Sequence, residues 1–154
     1  MPTSILPKFS ASSAITITLG GLAHNAARQG TIVDNSATRH ERVILHCKAK
    51  LGTSPTANGY VGVYLIRDDD GGTPIRDDNA GSSDAAITLK NARLIGSLLS
   101  GPSPATGDVL SRSFVVDDPG PKWTVAVLNA SGVALDATGS NHAITFVGVS
   151  PEVQ

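Results

Sequence analysis

The stretch Gly120–Val149, GPKWTVAVLNASGVALDATGSNHAITFVGV, decides the fold class. It holds two apolar runs joined by glycine-containing turns. In the first, Trp123, Val125 and Val127 alternate with Thr124, Ala126 and Leu128, the period-2 pattern of a β-strand. In the second, the strand predicted over residues 142–149 closes the body. Asp118-Pro119 and Pro121 stand just before Trp123, where they stop one strand and restrict the approach to the next. Trp123 therefore reads as a core plug, with Val125 and Val127 on its face.

Working outward, the same grammar recurs. Ile15, Ile17 and Leu19 alternate with Thr16 and Thr18 and stop at Gly20-Gly21, which predicts a half-buried strand. LAHNAARQ, bounded by glycines, reads as loop, with a brief strand at residues 31–34. In VILHCKAK, Val43, Leu45, Cys47 and Ala49 share one side of a strand. His46, Lys48 and Lys50 take the other. Asn58-Gly59 marks a turn, and GYVGVYLIR, with Tyr64 in the core, is apolar on both faces, as a central covered strand should be. Further strands are predicted over residues 92–99 and 109–116. No 3.6-residue period supports a helix longer than about two turns.

The expectation is an all-β, single-domain β-sandwich or jelly roll of about 7–8 antiparallel strands. Its body spans residues 14–150. Residues 1–13, with Pro2 and Pro7, read as an extended N-terminal arm, and residues 151–154 as a C-terminal tail.

Composition narrows the function. The 154 residues carry 12 basic and 13 acidic side chains, a net charge of -1, which gives no cationic footprint for nucleic acid. Charged residues are only 16 % of the chain, under the roughly 25 % of ordinary domains, and the resulting small, neutral surface suits packing against neighbours. No signal-peptide pattern opens the sequence, and no apolar run approaches the ~20 residues of a membrane span. The one cysteine forms no disulfide within the chain and reads as a small buried hydrophobe.

Candidate chemistry is sparse. DDDGGTPIRDDNAGSSD, from Asp68 to Asp84, clusters carboxylates that could ligate calcium, with Asp68, Asp70, Asp77 and Asp78 as ligands. Its spacing does not match an EF-hand loop, and Arg67 and Arg76 can neutralise it without metal. His24, His40, His46 and His142 lack zinc-ligand spacing. No nucleophile-elbow motif occurs, and the only glutamates are Glu41 and Glu152. The expectation is no enzyme, no cofactor and no small-molecule ligand.

Four segments together, RQGTIVDNS from Arg28, LGTSPTANGYVGVYLIR from Leu51, DAAITLKNARLIGSL from Asp84 and the Trp123 segment, resemble small virion structural proteins of tailed bacteriophages. The Asp-rich loop matches no element of that group. The resemblance implies a many-copy particle component made in the bacterial host cytoplasm. First in line is a head decoration, or cement, protein on the outer capsid surface, a homotrimer bridging major capsid subunits. Thr3, Ile5, Leu6 and Phe9 of the arm are the expected contact residues. A tail, baseplate or fibre-adaptor component comes second, and a carbohydrate-binding adhesion module third.

Overall fold

The structure, a computed structural model, describes residues 4–68 and 76–153. Two antiparallel sheets pack face to face. Sheet A takes the order β1 (Ile5–Phe9), β11 (Ala143–Val153), β5 (Arg42–Lys50) and β9 (Val109–Asp117), with β2 (Ser13–Ala14) also on β11. Sheet B takes the order β7 (Ala85–Ile87), β3 (Ala27–Gln29), β10 (Lys122–Ala130), β6 (Tyr60–Asp68) and β8 (Arg93–Leu99), with β4 (Val33–Asp34) also on β10.

The ladders nest. Tyr60 pairs with Leu99, Arg42 with Asp117, Arg28 with Val127 and Ile5 with Val153. The chain is one long antiparallel ribbon folded back on itself and wrapped into two sheets, which is a jelly roll. Among the described residues there are eleven strands, five in one sheet and six in the other; β2, β3, β4 and β7 are short, of two or three residues each.

Alternation explains the core. From β5, Val43, Leu45, Cys47 and Ala49 turn inward and are fully or almost fully buried. They meet Val61, Val63 and Leu65 of β6 and Trp123, Val125 and Val127 of β10. The Trp123 ring meets Phe146 edge-on, with centroids 5.0 Å apart and planes at 76°, an arrangement the ring quadrupoles favour. A smaller cluster of Ile66, Ala80 and Ala126 lies on the outer face of sheet B, which is why β6 is apolar on both sides.

Several sequence expectations change. Tyr64 is not in the main core; its ring is half-buried on the outer face of sheet B, against the smaller cluster. Residues 15–19 keep the predicted alternation of burial but form no strand. Ile15 N–H bonds Ile144 of sheet A, while the Thr16 carbonyl accepts from Thr31 beside sheet B, so the segment crosses between sheets. Part of LAHNAARQ is strand: Ala27–Gln29 sits between β7 and β10, because the buried Gln29 amide clasps Gly81 and Ser83. The arm and tail are not separate from the body either. Ile5–Phe9 is a strand of sheet A, and β11 continues through the supposed tail to Val153.

Buried asparagines fasten the ends of the sandwich. Asn35 donates to the His40 and Gly120 carbonyls and accepts from the His40 N–H, tying residues 35–40 to the approach of β10. Asn129 does the same at the far end through Leu22, Val133 and Ser131.

Candidate interaction surface

In an antiparallel ladder, directly opposed residues share a face, and successive residues along a strand point to opposite faces. On sheet A the inward set includes Leu45, Phe114 and Phe146, so the register assigns the outward set. Val147 of β11 lies beside Ile44 of β5, which lies beside Val115 of β9. At the β1 edge, Phe9 pairs with Val149, Pro7 with Pro151 and Ile5 with Val153. An apolar strip thus crosses the outer face of sheet A from β1 to β9.

Its margins are open. Ile5 is 68 % exposed, Phe9 59 %, Val115 58 % and Val153 67 %. Isolated exposed apolar residues are ordinary, but a contiguous set on one face marks a site of interaction. The strip holds one ion pair, Arg42 with Asp117, both more than half exposed. Beside it, Ile5, Pro7, Glu41, Asp118 and Pro151 help line a groove of about 440 Å³.

The β1 edge has its own chemistry. Ser10 N–H bonds the Gly148 carbonyl at 2.9 Å, which fixes the alternation along the ladder. Lys8↔Ser150 and Leu6↔Glu152 then fall at hydrogen-bonded positions, and Pro7↔Pro151 at a non-bonded one. Neither proline needs an N–H there. Pro7 instead removes a donor from the free side of β1, a device that blunts an edge strand. The β11 end of this region is held by His40: its ring fills the place a side chain at Gly148 would occupy, and its Nδ1 meets Ser150 Oγ at 2.8 Å.

Of the arm residues singled out, Ile5 and Phe9 belong to the strip. Leu6 projects to the opposite side of β1 from them, and Thr3 lies outside the described residues. Sequence reasoning missed Ile44, Val115, Val147 and Val149; the signal was there in FVVD and FVGV, where apolar residues fall on consecutive positions and so on both faces.

The acidic loop is occupied by its own structure. Asp68 is buried and pairs with Arg76 at 2.8 Å. Asp77 accepts from the Arg67 N–H. Asp78 accepts three backbone N–H groups, from Lys90, Asn91 and Ala92. Burial opposes the Asp78 charge, but those three donors outweigh it and hold its pKa below the usual carboxylate value. Asp84 binds Thr18 and Arg28. Asp70 lies outside the described residues. Among the described residues, no three His, Cys, Asp or Glu side chains come together as a metal site.

His46 touches Ser113 through Nδ1 and Ser111 through Nε2, and His40 touches Ser150. Among the described residues no carboxylate is seen to orient either ring, the third part that a Ser-His-acid triad requires. Cys47 is fully buried, and loss of solvation pushes its thiol pKa up to about 12.

The molecule is therefore a jelly-roll β-sandwich with an apolar strip across the outer face of sheet A, bordered along β5 by His46, Lys48 and Lys50. No family model matches the sequence, and no curated protein matches it. Among solved structures, a crystal structure of murine APRIL at pH 5.0 is similar at 10 % identity and a TM-score of 0.45, over 96 % of this chain and 99 % of that one. That likeness is one of outline; the jelly-roll assignment rests on the ladders themselves.

Proposed function

We propose that this chain is a structural component of a tailed-bacteriophage particle, a decoration protein that docks on the outer head surface and bridges major capsid subunits. The resemblance of four segments to small virion proteins supports the class, and the exposed strip on sheet A is the observation that carries the mode of action. A rigid sandwich held by nested long-range ladders offers a fixed face to a neighbour. Repeated by particle symmetry, many modest contacts add up through multivalency, and an outward pressure must break them together. Its partners are the major capsid protein and copies of itself, three of which would meet at local three-fold positions.

The test is to add purified protein to heads that lack decoration and to image them. Density on the outer shell at regular positions, with resistance to heat or chelation increased, is the expected result. Density confined to the tail would replace this reading with the tail or baseplate one, and no binding to any part of the particle would end both.

The carbohydrate-binding reading is favoured by one feature. Tyr60 and Tyr64 border Gly62 on the outer face of sheet B, where a side chain at Gly62 would come within 3.0 Å of the Tyr64 ring. Trp123, 1 % exposed, cannot stack on a sugar. Binding on a glycan array that Tyr60→Ala abolishes would establish this second reading, and a blank array would remove it.

A further inference from the structure

We propose that the outer face of sheet A is the surface through which copies of this chain associate with one another, the strip of one copy covering that of a second across a two-fold axis, a contact separate from the one that would gather three copies. This rests on the reading of the protein as a many-copy component and names the surface that joins the copies.

Three observations select a second copy as the occupant. The first is area. From their fractional exposures, Ile5, Phe9, Val115 and Val153 together present about 500 Å²; that is on the scale of the ~800 Å² each partner gives to a standard interface, before Ile44, Val147 and Val149 are added. The second is charge. Within the strip Arg42 and Asp117 neutralise each other; His46, Lys48 and Lys50 share the outer face farther along β5, with Lys50 paired to Asp136, so strips that meet at the Arg42 end bring no unpaired like charges into contact. The third is the edge. Because Pro7 takes a donor from the free side of β1, strand addition along that edge is interrupted. Face packing, with sheets ~10 Å apart, remains available.

The experiment is light-scattering mass measurement on the full chain across the micromolar range. Three proteins are compared: wild type, the double variant Phe9→Asp with Val115→Asp, and a control with Leu94→Asp and Leu99→Asp on sheet B, where both leucines are more than half exposed. The expected result is a mass of more than one protomer for wild type and control, and of one for the double variant. A wild-type monomer at high micromolar concentration overturns the proposal, as does a double variant that keeps the wild-type mass. If the aspartates unfold the chain, Phe9→Ser with Val115→Thr replaces them. A self-dissociation constant raised at least ~tenfold then supports the interface, and an unchanged one overturns it. Head binding is scored in parallel. An associated protein that ignores heads leaves this interface standing and ends the head-decoration reading; a monomer whose double variant alone loses heads shows that the face meets capsid, and overturns self-association.

Discussion

Deleting residues 1–12 removes β1 while leaving β2 and the rest of the body. The ladder loses the Leu6–Glu152 and Lys8–Ser150 pairs, the Ser10 N–H bond to Gly148 and the Gly148 N–H bond to Ser10 Oγ. That is about six hydrogen bonds, each worth roughly 1 kcal/mol net. Against them stands the entropy of holding the strand, roughly 1–2 kcal/mol per residue. Every residue of β1 is exposed, so little apolar burial tips the balance. The exposed Lys8–Glu152 pair adds ~1 kcal/mol at most. The terms nearly cancel, and the expected loss is about 0–2 kcal/mol. Urea unfolding followed through Trp123, the only tryptophan, measures it in the core itself. The β5 ladder on β11 ends at Val149, so Ser150–Val153 loses its partner, and fast hydrogen exchange should appear there first. A truncated chain that fails to fold, or loses more than ~4 kcal/mol, would refute the reasoning and make β1 a necessary element of the core.

Three other perturbations probe different layers. Trp123→Ala should cost about 3–5 kcal/mol in the same urea experiment, because it empties the largest fully buried site and leaves the Phe146 edge without a partner. Asp136 accepts from the Asn141 amide and the Thr138 N–H and faces Lys50, and its pKa falls to about 2 from 3.8. A depressed carboxylate stabilises the fold above its unfolded pKa, so this contribution is present above about pH 4 and lost as pH falls through 2. In Asp136→Asn, proton uptake on unfolding across that window should drop by up to ~one proton; an unchanged acid profile would contradict the assignment. Cys47 should resist a thiol reagent in native buffer and react fully in denaturant, and rapid labelling of the native protein would show that the sandwich opens.

What the sequence disclosed follows from the range of the forces involved. Strands β5, β9, β10 and β11 show in their own periodicity, because one face of each meets the core, and β6 shows as a run apolar on both faces. Gln29 looked like loop because what buries it, the carbonyls of Gly81 and Ser83, lies about fifty residues away. β1 escaped detection for a related reason. Its side chains are all exposed, so no alternation marks it, and Pro7, with Pro2 just upstream in the sequence, suggests irregularity until Pro151 is found opposite Pro7. The acidic loop invited a metal because one sequence shows carboxylates and not their donors. Once Asp78 is seen receiving three backbone amides, the charge has an occupant. The apolar strip was legible only in part: consecutive valines announce a second covered face, but the register that lines up Val115, Ile44 and Val147 belongs to three separate strands.

The nested pairing also sets an order of assembly during synthesis. β6 and β8 can close as soon as both have left the ribosome, and each outer pair must wait for a later strand. Sheet A waits longest, since β11, its hub between β1 and β5, is made last. Until then the inward side of β5, Val43 to Ala49, has its β9 neighbour but not β11, and the apolar inner face of sheet A stands incomplete. The nascent chain therefore keeps a sticky half-sheet until its final strand arrives, and a ribosome stalled before Ala143 would release an aggregation-prone product.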